Sequence, residues 1–229
     1  MKYVRPVLAA LLIPLALALV WNFYCQVVDM GRSVTVSALP FWLGLGSYFI
    51  FQIVFFRPIK TYVFGHELTH ALVGILSGAR LKSFKVSSSG GSVVLTKTNV
   101  WITLAPYFIP LYTMLLIGVY WPCSRFWHLE AYYPYFLFAA GFSLSFHFSL
   151  THYALAQGQS DLKQFGKFFS MVFIILVSVL VLTVLLKLLF PQEIQLLAFF
   201  KQSGLTTVAI WRALFVEVKK LWLFFRSMK

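Results

Sequence analysis

From Pro6 to Val28 the sequence runs without a single Lys, Arg, Asp or Glu. A helix needs roughly 20 apolar residues to cross the hydrocarbon of a bilayer. Inside that medium the backbone must satisfy its own hydrogen bonds, so helices are the natural solution. Four more stretches have comparable length and at most one such charge: Ala38–Phe56, Val100–Trp121, Tyr133–Leu155 and Phe168–Phe190. Thr61–Gly78 makes a sixth if its polar residues are tolerated. These runs predict an all-α polytopic membrane protein with about six transmembrane helices. Composition agrees, with 60% hydrophobic and 11% charged residues, where a soluble domain carries about 25% charged. The connections are short and no repeat or low-complexity linker interrupts them. Residues 1–229 therefore read as one membrane-embedded domain, with a core over 61–190 and a C-terminal segment over 192–229.

Lys2 and Arg5 precede the first apolar run in the manner of a signal peptide. The run continues through Trp21 to Val28 without a small-residue cleavage site, so it is expected to stay as the first span. A net charge of +13 suits loops and tails that meet anionic lipid headgroups. No basic-aromatic nucleic-acid motif accompanies it, and no nucleic-acid partner is expected. Orientation stays open, because alternation from a cytoplasmic amino terminus puts Arg80, Lys82, Lys85 and Lys97 outside, against the positive-inside rule. Cys25 and Cys123 imply neither a disulfide framework nor a metal site.

Within Thr61–Gly78 lie His66, Glu67 and His70. Ionisable groups are costly in a membrane and mark function there. Two histidines four residues apart share one helix face and can hold one zinc ion. Glu67 lies about 100° round the helix from His66, near the metal without having to bind it. In such an H-E-x-x-H arrangement the glutamate acts as general base toward water whose pKa the zinc lowers to about 7.

A catalytic zinc usually takes a third protein ligand. The acidic residues are Asp29, Glu67, Glu130, Asp161, Glu193 and Glu217, with none between Ala71 and Leu129. Asp29 and Glu193 flank spans, and Glu217 sits among Arg212, Lys219 and Lys220 as a helix ion pair. Glu130 stands in a short loop beside Arg125 and His128. Asp161, at the mouth of the last long span, is the favoured third ligand, although it also suits a helix cap. His147 and His152 compete with it.

"GHELTHALVGILSGARLKSFKVSSSGG", then "TNVWITLAPYFIP" and "QSDL", together resemble the site-2 protease superfamily of intramembrane zinc metalloproteases. The likeness is greatest to its compact M-fifty-B-like branch and covers Gly65 to Gly166. The resemblance implies that His66, His70 and Asp161 bind zinc and that Glu67 is the catalytic base. Better-known members carry their aspartate in an N-x-x-P-x-x-x-x-D-G pattern. Here Leu162 follows Asp161, and Asn99, Pro106 and Pro110 lie far upstream.

The remaining segments fit that picture. Leu81–Ser87 and Ser92–Thr98 are expected to form a hairpin around a turn at Ser88–Gly91. Its edge would receive an extended peptide by strand addition. Pro106 and Pro110 are expected to kink the fourth span and open a water path. Gly74 and Gly78 form a G-x-x-x-G that permits close packing against a neighbour. In Leu205–Lys229 the cations Arg212, Lys219 and Arg226 recur on one helix face, as in a basic amphipathic helix lying in the membrane interface.

The expected activity is zinc-dependent hydrolysis of peptide bonds in membrane-embedded or juxtamembrane proteins. The chain would be a multi-pass integral membrane protein, expected in a bacterial cell membrane, with the lipid bilayer and a transmembrane or membrane-associated protein substrate as its partners. Two alternatives remain: a non-hydrolytic membrane zinc-binding protein, either a transporter or a pseudoprotease, and a membrane zincin that uses Glu130.

Overall fold

The computed structural model describes residues 3–32, 38–87 and 90–228. Helix α1 covers Val4–Arg32, α2 Leu39–Val54 and α3 Ile59–Leu76. Strands β1 (Leu81–Ser87) and β2 (Gly90–Leu95) follow, then α4 (Val100–Phe108) and α5 (Leu111–Phe126). A 3-10 turn at Glu130–Tyr132 leads into α6 (Tyr133–Ala156), α7 (Ser160–Phe165), α8 (Lys167–Leu189) and α9 (Leu196–Ser227). All six apolar stretches are helical.

Fewer than six of these helices qualify as membrane spans. Among the described residues, only α1 and α8 are long and apolar enough to cross a membrane, and α4 with α5 makes a third if the bent pair counts as one span. At 16 residues α2 is short. Lys60, Glu67 and two histidines dilute α3, and α6 is long but rich in Tyr, Ser and His. The fourth stretch breaks between α4 and α5 with a bend of 78°. Pro110 causes the break: the residue before a proline is driven out of the α region, and Ile109 is extended at φ −101°, ψ 106°. Pro106, also expected to kink the span, sits inside α4.

Two compact units divide the chain, one made of Met1–Arg32 and Met171–Lys229, the other of Ser33–Ser170. In the first, α1 packs on α9, and Asn22 donates to Thr206 Oγ1 at 3.3 Å. Lys187 Nζ donates to the carbonyls of Pro191 and Ile194, neutralising the polar groups where α8 ends. Residues 211–227 of α9 are exposed on every face.

In the second unit α2 packs against α6, and glycines allow their backbones to touch. A Cβ on Gly44 would stand 2.1 Å from the Phe138 carbonyl oxygen, and one on Gly141 would stand 2.2 Å from that of Phe41. Around this crossing Tyr48, Phe146 and Leu150 form a buried cluster, with Phe51, Tyr62, Tyr112 and Phe142 packed on it.

Helix α3 lies against both strands and α4. Gly78, with φ +74°, ends it: its N–H reaches the Ile75 carbonyl and Ala79 N–H reaches that of Gly74. This is the Schellman arrangement, so Gly78 serves as a helix terminator rather than in a packing motif. Gly74 packs on a strand, since a Cβ there would lie 2.6 Å from Leu95 Cδ1. The strands pair antiparallel from Leu81 opposite Leu95 to Ser87 opposite Gly90, with an irregularity between Leu81 and Ser83. Gly90 and Gly91 thus belong to β2 instead of the expected turn, whose Ser88 and Ser89 lie outside the described residues. Asn99 caps α4, its side chain accepting from Ile102 N–H at 2.9 Å.

Candidate metal centre

Helix α3 presents His66 and His70 on one face, their ring centroids 4.9 Å apart. Helix α7 brings Asp161 to meet them from about ninety residues further along the chain. Its Oδ2 lies 3.4 Å from His66 Nε2 and 3.5 Å from His70 Nε2. One donor atom from each residue falls within 4.8 Å of the others, a group able to hold a metal ion. Two ligands about 2.1 Å from a tetrahedral ion lie about 3.4 Å apart, and both measured imidazole–carboxylate separations match that edge.

The surrounding bonds fix how the three residues face one another. His70 Nδ1 is 2.8 Å from the Ile102 carbonyl. A carbonyl only accepts, so Nδ1 carries the proton and a neutral His70 turns its Nε2 lone pair toward Asp161. A lone pair and a carboxylate facing each other in this way need a proton or a cation between them, which is the physical argument that the site suits a metal. Asp161 is held in turn by Tyr107, whose hydroxyl donates to Oδ2 at 2.9 Å. Tyr62 OH stands 3.4 Å from His66 Nδ1.

Glu67 is buried on the neighbouring face of α3. It lines the same cleft of about 450 Å³ as His66, His70 and Asp161. Residues Gly91 to Leu95 of β2 line that cleft consecutively. Side chains alternate between the two faces of a strand, so an unbroken run of this kind presents the strand's edge. Thr98, Thr103 and Gln164 add polar groups to the wall.

The other candidate ligands lie elsewhere. His152 is exposed on α6. His147 is buried and lines a separate small pocket with His66, Tyr62 and Tyr112, outside the metal-competent group. Glu130 is exposed and faces a different hollow with Tyr120, Arg125 and Tyr133. Tyr107 and Tyr62, which touch the site, carry no sequence signal, because one aromatic among many in an apolar run has no distinguishing pattern. No known protein family, characterised protein or solved structure matches this chain.

Proposed function

We propose that this chain is an intramembrane zinc metalloprotease similar to the site-2 protease superfamily, with His66, His70 and Asp161 as zinc ligands and Glu67 as general base. One observation carries this reading. Two imidazoles each approach one carboxylate oxygen at a spacing that suits a tetrahedral ion, in a cleft that also holds a buried glutamate and a strand edge. Two histidines and one carboxylate form the ligand set of hydrolytic zinc sites that keep a fourth position open. Zinc in that set supplies a Lewis acid and lowers the pKa of water to about 7.

The chain's own residues account for the remaining steps. The edge of β2 receives the substrate in extended form, through main-chain hydrogen bonds. That requirement matters, because peptide bonds in a membrane helix are shielded until the helix locally unwinds. Glu67 takes a proton from the attacking water as its oxygen bonds to the carbonyl carbon. The same proton then passes to the leaving nitrogen as the carbon–nitrogen bond breaks. Asp161, His66 and His70 hold their positions throughout.

The test is cleavage of a reconstituted membrane peptide containing helix-weakening residues. Wild-type protein should cut it, a zinc chelator should stop cleavage, and added zinc should restore it. A zinc-loaded protein that cuts none of a panel of such peptides would favour a non-hydrolytic zinc-binding role.

A further inference from the structure

In a regular α-helix the carbonyl of each residue accepts the N–H four positions later. For Ile102 that position is Pro106, which has no N–H to give. Pro106 lies inside α4 and is buried, one turn before the break at Pro110. It therefore leaves the Ile102 carbonyl without its helical donor. His70 Nδ1 occupies that carbonyl at 2.8 Å.

We propose that Pro106 is a positioning residue for the metal centre: by withholding an N–H it reserves the Ile102 carbonyl for His70. Outer partners of this kind fix a ligating histidine's tautomer and ring orientation. With Nδ1–H committed to Ile102, a neutral ring has its lone pair on Nε2, which lies 3.5 Å from Asp161 Oδ2. Tyr107, the next residue, donates to Asp161 from the same helix. Helix α4 thus aligns two of the three ligands, one through a carbonyl exposed by a proline and one through a side chain. A proline inside a helix is strongly unfavourable relative to alanine. This one gives the metal site a backbone acceptor that a regular helix would consume internally.

The proposal rests on the metal reading, and its test separates the two. Zinc affinity is measured by competition with a chelator for wild type, for Pro106→Ala, and for a variant carrying lactic acid at position 106. The lactic acid variant has alanine's side chain but an ester oxygen in place of the N–H. Pro106→Ala restores the donor, so its affinity should fall about 10–100-fold while the metal-free protein resists unfolding at least as well as wild type. The ester variant should bind zinc like wild type. A purely structural role for Pro106 would lower stability and affinity together, and the ester would not rescue them. Nitrogen-15 NMR of zinc-loaded wild type needs no variant to fold. It should show His70 with a slowly exchanging Nδ1 proton and its other nitrogen on the metal. Equal affinity for wild type and Pro106→Ala overturns the proposal, as does a rapidly exchanging Nδ1 proton. Wild type that binds no zinc overturns the metal centre itself.

Discussion

Gly91 stands so close to Glu67 that a Cβ on it would lie 2.5 Å from Glu67 Cγ and 2.9 Å from Val63 Cγ1. Strand β2 therefore presses directly on the face of α3 that carries Glu67, the proposed general base. Gly91→Ala must displace either the strand or the glutamate. A misplacement of about 1 Å can cost about a hundredfold in rate, so hydrolysis should fall by that order while zinc content is retained. Gly74→Ala is the control. The atoms nearest its Cβ would all belong to the Leu95 side chain, which can turn away, and activity should stay near wild type. Equal rates for the two variants would remove Gly91 from this role.

The ligand set predicts a pattern of metal content. Purified protein should hold about one zinc per chain, measured by plasma mass spectrometry after dialysis. His66→Ala or His70→Ala should empty the site, and Asp161→Ala should weaken it strongly. Glu130→Ala should leave it unchanged, since Glu130 faces another hollow. Unchanged zinc in Asp161→Ala together with loss in His147→Ala or His152→Ala would show that the third ligand is a histidine.

Tyr107→Phe removes one hydroxyl from a buried ring and little else. That hydroxyl donates to Asp161 Oδ2 at 2.9 Å, so its loss frees the carboxylate to turn away from the two imidazoles. Zinc affinity should drop about tenfold or more, a smaller effect than deleting Asp161. An unaltered affinity would mean that α7 alone holds the carboxylate in place.

Some of this arrangement is legible in the sequence, for physical reasons that differ from residue to residue. His66, Glu67 and His70 are legible because their relation is local to one helix turn. Asp161 is legible only because carboxylates are scarce, as nothing in its surroundings announces a distant partner. The helices are legible as apolar runs, yet length alone overstates how many can span a membrane. Pro106 and Pro110 look alike in sequence. Pro110 breaks the helix because Ile109 goes extended, whereas Pro106 is absorbed and its missing N–H leaves the Ile102 carbonyl to a histidine 32 positions before that acceptor. Gly90 and Gly91 suggest a turn, but Gly91 is a strand residue at a crowded helix contact. These outcomes depend on which element lies opposite, and local pattern does not carry that information.

The crossing of α2 and α6 gives a prediction about stability. Both Gly44 and Gly141 would bring a Cβ within 2.2 Å of backbone carbonyl oxygens, and a backbone cannot rotate aside as a side chain can. Gly44→Ala and Gly141→Ala should each destabilise the protein by about 1–3 kcal/mol or more, despite alanine's better helix propensity. Gly46→Ala has nothing within 4 Å of the new Cβ and should be neutral or slightly stabilising. Thermal unfolding in detergent, compared across the three variants, checks this order.

Glu67 provides the sharpest chemical test. It is buried beside the metal-competent residues and lines their cleft, but it does not belong to the ligand group. That separation makes it available to move a proton rather than to bind the ion. Glu67→Gln keeps the shape and the contact with Gly91 but has no carboxylate to accept the proton of the attacking water. A general base contributes about 10²–10⁴-fold, so peptide hydrolysis should fall at least about a hundredfold while zinc content stays at the wild-type level. Measuring both quantities on one preparation separates the possible causes of lost activity. Loss of zinc along with hydrolysis would make Glu67 a structural partner of the site. Full hydrolysis in a zinc-loaded Glu67→Gln protein would exclude it as the base, and the proton would then have to leave by another group.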